Sequence, residues 1–114
     1  MRILFVGGNV RTNEAAITAE NQFTDWTRVD GGRWGSGFSA SVSDDSTTLS
    51  VVWTVQMRRI KADGTTGNVI DVFTSGAASN GGIQTASLFG AWEVRVGVKT
   101  GNYSAGTGVA AISW

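Results

Sequence analysis

The sequence predicts an all-β protein: an antiparallel β-sandwich, with a jelly roll among the arrangements open to it, preceded by an N-terminal arm or short helix. Three observations carry this. Residues 48–58 place Leu49, Val51, Trp53, Val55 and Met57 at every second position, and residues 91–99 do the same with Trp92, Val94, Val96 and Val98. Strict period two is the mark of a strand with one face on a core and the other polar. Turn formers recur at Asp30-Gly31-Gly32, Asp44-Asp45-Ser46, Asp63-Gly64, Ser79-Asn80-Gly81-Gly82 and Thr100-Gly101-Asn102, with short strand-like runs between them.

Taken in order, residues 1–21 read as the arm or short helix and residues 22–114 as one sandwich domain. Within 12–21, Thr12 or Asn13 is placed to cap Glu14-Ala15-Ala16-Ile17 as a helix. An extended arm fits the same weakly amphipathic residues. Residues 22–29 carry Phe23 and Trp26 on a strand. Phe38, Ala40 and Val42 alternate with Ser39, Ser41 and Ser43 on the next. After the strand at 48–58, the turn-forming run 62–68 predicts a hairpin to a β-branched strand at 69–73. A strand at 84–89 follows, then the one at 91–99. The turn Gly101-Asn102-Tyr103-Ser104 then leads into a last strand at 107–113.

Composition narrows the function. The 114 residues include no Cys, His or Pro, but 16 Gly and five Trp. Without Cys or His there is no disulfide framework, no thiolate nucleophile, no Ser-His-Asp triad and no imidazole base or metal ligand. Nine basic residues balance nine acidic ones, which argues against a general nucleic-acid binder. The apolar run Ile3-Leu4-Phe5-Val6 is shorter than the roughly 7–15 residues of a signal-peptide core. No run reaches the roughly 18 apolar residues of a membrane span. A chain made in the cytoplasm and soluble there until it meets a partner is the expectation.

Isolated features weigh less. Ile3-Leu4-Phe5-Val6-Gly7-Gly8-Asn9 imitates a nucleotide-binding strand and turn, but lacks the third glycine and the helix. Asp44-Asp45 and Asp63-Gly64 lack the carboxylate spacing of a calcium loop and read as turns. A glycosidase-type acid pair would have to be drawn from Asp25, Asp30, Asp71 and Glu93, and no spacing joins any two of them. No catalytic residue, cofactor or metal ligand is assigned. Trp53 and Trp92 fall on core faces. Trp34, set in Gly31-Gly32-Arg33-Trp34-Gly35-Ser36-Gly37, suits an edge cover, a protein–protein anchor or a sugar-stacking platform. Arg58, Arg59 and Lys61 form the one basic cluster.

The run Arg95-Val96-Gly97-Val98-Lys99-Thr100-Gly101-Asn102-Tyr103-Ser104-Ala105-Gly106-Thr107 resembles the closing R-V-G-V-K-T-G-D-Y-x-S-G-T hairpin of small virion structural proteins of tailed bacteriophages. Gly35-Ser36-Gly37-Phe38-Ser39-Ala40-Ser41-Val42-Ser43 is similar to that group's G-x-F-x-V-S-V-S strand. Thr54-Val55-Gln56-Met57-Arg58-Arg59 with Asp63-Gly64 is similar to its T-V-T-L-Q-R-S-x-D-G-G hairpin. Asn102 stands where the group has an acid, and residues 1–30 lie outside the match. The resemblance implies a non-enzymatic virion component on the capsid surface, a decoration or cement protein. Its partners would be the major capsid protein and further copies of itself as a dimer or trimer, with no nucleic acid and no membrane involved. A tail or fibre module that binds host glycan through Trp34 and Tyr103 is the alternative. On the first reading Ile3, Leu4 and Phe5 make an arm contact that adds a strand to a neighbour. Trp34 makes a loop contact, and Arg58 and Arg59 pair with acidic shell residues.

Overall fold

A computed structural model describes the backbone of residues 2–6 and 10–114, and the side chains of residues 11–31 and 35–114. The strands are β1 (Arg2–Val6), β2 (Val10–Ile17), β3 (Gln22–Phe23), β4 (Thr27–Asp44), β5 (Ser50–Arg59), β6 (Ile70–Thr74), β7 (Gly81–Ala105) and β8 (Gly108–Ser113). Every pairing is antiparallel, in the order β1-β2-β8-β4-β7-β5-β6, with β3 added beside β7.

Two strands are long enough to serve both layers. Residues 36–43 of β4 pair with residues 81–88 of β7, while residues 27–30 of β4 pair with residues 91–94. Between these stretches the register shifts at Asp30/Gly32 and Gly32/Ser36. The chain turns this corner on Gly35 and Gly90, both at φ +83°, where a side chain would be strained. One layer is therefore β1, β2, β8 and the first-named stretches of β4 and β7. The other is β6, β5 and residues 91–105 of β7, with β3 and the start of β4 on the far side.

The inner faces interlock as the alternation predicts. Phe38, Ala40 and Val42 of β4 meet Ala110 and Ile112 of β8 on one side. Val51, Trp53, Val55 and Met57 of β5 meet Val94, Val96 and Val98 of β7 on the other. The expected β5–β6 hairpin forms. Its loop is held by Asp63, whose carboxylate accepts from the Thr65 N–H (3.0 Å) and hydroxyl (2.6 Å).

One choice is decided and several expectations change. Of the two forms open to residues 12–21, the extended one is found: β2 pairs with β1 on one side and β8 on the other, and it buries Asn13 and Ile17. Ladder bonds on both edges outweigh a ten-residue helix that would be marginal alone. The strand expected at 22–29 is broken. Thr24 leaves the ladder, and its N–H and hydroxyl take over the Val96 carbonyl and N–H (2.9 and 3.2 Å). Finally, residues 100–105 do not end the strand: the β5 register shifts between Val98 and Tyr103, with Gly101 at φ +85°, and β7 then continues with Tyr103 opposite Val51 and Ala105 opposite Ser50. The chain reverses instead at Gly106 and Thr107.

Candidate functional site

The outer face of the β5–β7 layer carries a polar network that period two builds directly. Gln56 and Arg58 of β5 stand opposite Arg95 and Glu93 of β7. Arg58 Nε donates to Glu93 Oε1 at 2.7 Å, and Arg95 Nε donates to Gln56 Oε1 at 2.8 Å. Gln56 Nε2 in turn donates to Asp71 Oδ1 at 2.8 Å, and Lys99 Nζ donates to Asp71 Oδ2. β3 and its connection to β4 lay aromatic rings over this network. Arg95 lies 4.3 Å from the Phe23 ring and 4.5 Å from Trp26, and Arg58 lies 4.2 Å from the same indole. Each guanidinium is attracted by the ring quadrupole and shielded from water by the ring.

The charges respond to this packing. Burial, and secondarily the nearby Arg58 cation, lower the pKa of Arg95. Hydrogen bonding from Lys99, then from Gln56, holds the Asp71 carboxyl below its ordinary value. A depressed carboxylate contributes stability that is present above its unfolded pKa and lost as pH falls through its folded one. Asp71→Asn is therefore expected to flatten the acid limb of the stability profile below pH ~4. The side chain is 38% exposed, so solvent screening keeps the effect small. Urea midpoints of the two proteins from neutral to acid pH measure it, and parallel acid limbs would refute it.

The second surface is the open side of the sandwich. The last strand of one layer is β6, and the last of the other is residues 81–90 of β7. A cleft of ≈ 230 Å³ opens between them, floored by Phe38, Val55, Met57 and Phe73. Val72 of β6 lines this cleft, and Val69 and Ile70 beside it, with Ile83 and Phe89 on β7, are also exposed large hydrophobics. Single exposed hydrophobics are ordinary, but several on two unpaired edges suit a contact surface.

The residues singled out from sequence are distributed as follows. Ile3, Leu4 and Phe5 lie on β1, whose backbone pairs with Asn13, Thr12 and Arg11 of β2. Their side chains, and that of Trp34 in the β4 corner, lie outside the described residues. Arg58 and Arg59 are neighbours in sequence, but successive strand residues face opposite ways. Arg58 is held by Glu93 and Trp26, while Arg59 is exposed at the end of β5. Tyr103 packs against the core and donates its hydroxyl to the Gly106 carbonyl at 2.5 Å. Of the four carboxylates considered as acids, Asp30, Asp71 and Glu93 are ion-paired with Arg28, Lys99 and Arg58.

Of these two surfaces, one is not legible along the chain and the other leaves a trace in it. The ring-capped arginine network is hidden because Phe23 and Trp26 precede β5 and β7 by a long stretch of sequence. The charge-free stretch 72–92, which contains Ile83 and Phe89, is the visible signal for the open side. No family model, curated protein or solved structure matches this chain.

Proposed function

We propose that this chain is a non-enzymatic structural protein of a tailed-phage virion, a capsid decoration or cement protein that binds across major capsid subunits and stabilises the head. The supporting observation is the open side of the sandwich, where β6 and residues 84–86 of β7 flank an apolar cleft and the same two strands, with Val69 just before β6, expose Val69, Ile70, Val72, Ile83 and Phe89. Such a surface fits a protein whose work is to be covered by other protein. The Arg95–Thr107 run adds the resemblance to small virion proteins. On this reading the chain is made in the host cytoplasm and ends on the outer capsid surface. Its partners are the major capsid protein and copies of itself.

A cement protein stabilises a shell by binding the assembled form and not the separated one, so its effect follows mass action. Purified protein mixed with undecorated heads is expected to bind in fixed stoichiometry and to raise the temperature at which the heads open. Heads that bind none, or that open at an unchanged temperature when saturated, would exclude this function.

A further inference from the structure

A free strand edge offers unpaired N–H and C=O groups to any other strand, and proteins that must stay apart blunt such edges with Lys, Pro or bulges. The free edges here differ in this respect: the side formed by β3 and the start of β4 carries the Arg28–Asp30 ion pair. β1 carries Arg2, and the five-residue β6 carries Asp71 in its ion pair with Lys99. The 81–90 edge of β7 is the longest of them, carries no Lys or Pro, and keeps a regular register with β4 from Gly81 to Leu88, the irregularity lying only at its Gly90 end. It pairs with β4 on one side only, contains no charged residue, and belongs to a chain without proline. Its two large outward side chains, Ile83 and Phe89, are 68% and 67% exposed.

We propose that this edge is where the protein pairs with a second copy of itself: two β7 edges join antiparallel about a two-fold axis through Ala86, and Ile83 of each copy covers Phe89 of the other. The register follows from the residues. Antiparallel pairing of a strand with itself has a two-fold axis, so residue i faces a residue fixed by the midpoint. Ile83 and Phe89 are six positions apart on the same side of the strand, and midpoint 86 is the register that sets them opposite each other. Directly opposed aliphatic and aromatic side chains are a favourable cross-strand pair. The same register sets Thr85 against Ser87 and places small Ala86 on the axis. With no charge anywhere along the edge, the two copies meet without like-charge repulsion.

The second layer agrees with this arrangement. A two-fold axis normal to the joined sheet keeps both β5–β6 layers on the same side of it. The β6 edges then face each other above the joint, and Val72 and Phe73 of both copies line one merged cleft. The assembly is closed, because an isologous pair uses up the edge that formed it. A strand of the shell protein is the rival occupant of the same edge.

The proposal does not depend on capsid binding, and its test needs no capsid. In sedimentation equilibrium the isolated chain is expected at twice its 12.0 kDa mass at micromolar concentration. A monomer persisting to millimolar concentration overturns the proposal. So does a monomer whose 81–90 amides become protected from exchange only on heads, since the edge would then belong to the shell. Ile83→Lys with Phe89→Lys should abolish the dimer, as should Ile83→Glu with Phe89→Glu, and mixing the two proteins should restore it as a heterodimer. A dimer surviving in either variant alone, or failing to return in the mixture, rules out this register. Thermal melts of both variants report whether the monomer stays folded. A second reading works without disturbing those side chains. Facing residues have Cα atoms about 4.5–5.5 Å apart, within disulfide reach, and the chain has no cysteine of its own. Ala86→Cys should therefore cross-link the dimer on mild oxidation while Ser104→Cys does not. Equal cross-linking of the two would overturn it.

Discussion

Trp53→Ala is expected to lower the unfolding free energy by about 3–5 kcal/mol, the range for emptying a large buried aromatic site. The indole is 2% exposed at the middle of β5. It touches three separate strands: its own, the Phe73 ring of β6 at a centroid distance of 4.8 Å, and Gly82 at the start of β7. A Cβ placed on Gly82 would lie 3.1 Å from the indole, so the ring fills the space between the two layers. Truncation leaves a cavity that Phe73 and the open cleft can close only in part. Against a total of about 5–15 kcal/mol for a domain, the loss is a large share. Guanidinium melts compared at equal slope measure it. A midpoint within experimental error of the parent would show that the layers do not depend on this ring.

Gly97→Ala is expected to destabilise by about 1–3 kcal/mol, as overpacking does, and to release β3 in particular. Gly97 lies between β5, where it faces Thr54, and β3, where it faces Phe23. An added Cβ would fall 2.1 Å from the Gln22 carbonyl oxygen and 2.5 Å from the Phe23 Cα. Both are backbone atoms that cannot swing away, so β3 must lift. Phe23 then leaves Arg95, and the two Thr24–Val96 bonds open. Hydrogen exchange should report faster exchange at Thr24 while the β5 amides stay protected. Unchanged exchange at Thr24 would refute the account. Gly101→Ala is the contrast: its φ of +85° carries strain, but nothing lies within 4 Å of the new Cβ, and β3 should stay in place.

The Arg95–Thr107 run that resembles phage virion hairpins has a physical reading in this fold. Arg95 is held by two rings and Gln56, Gly97 admits β3, and Tyr103 ties the end of β7 to Gly106. The sequence showed Arg95 as outward and Tyr103 as a turn residue. It could not show the tie or the cap. Gln56 meets Arg95 across a connection of nearly forty residues, and no local turn sets that register. Likewise Asp30-Gly31-Gly32 has the composition of a turn. Whether such a run reverses the chain or bends a continuing strand depends on the partner strand, and β7 continues alongside it.

Period two by itself determined the class: the core faces of β5, residues 91–99 and residues 38–42 are the residues whose alternation marked them, because burying one face of a pleated strand requires that spacing. The absence of His and Cys, equally, limited the available chemistry through composition alone. Tertiary structure decided what alternation leaves open. It recruited residues 10–17 as a strand, since two flanking ladders were there to satisfy them. It carried β4 and β7 through both layers, and it capped an arginine pair with rings from a distant segment. It also decided which edges stay open. A strand's sequence describes its two faces, while its edges are defined by the neighbours it receives.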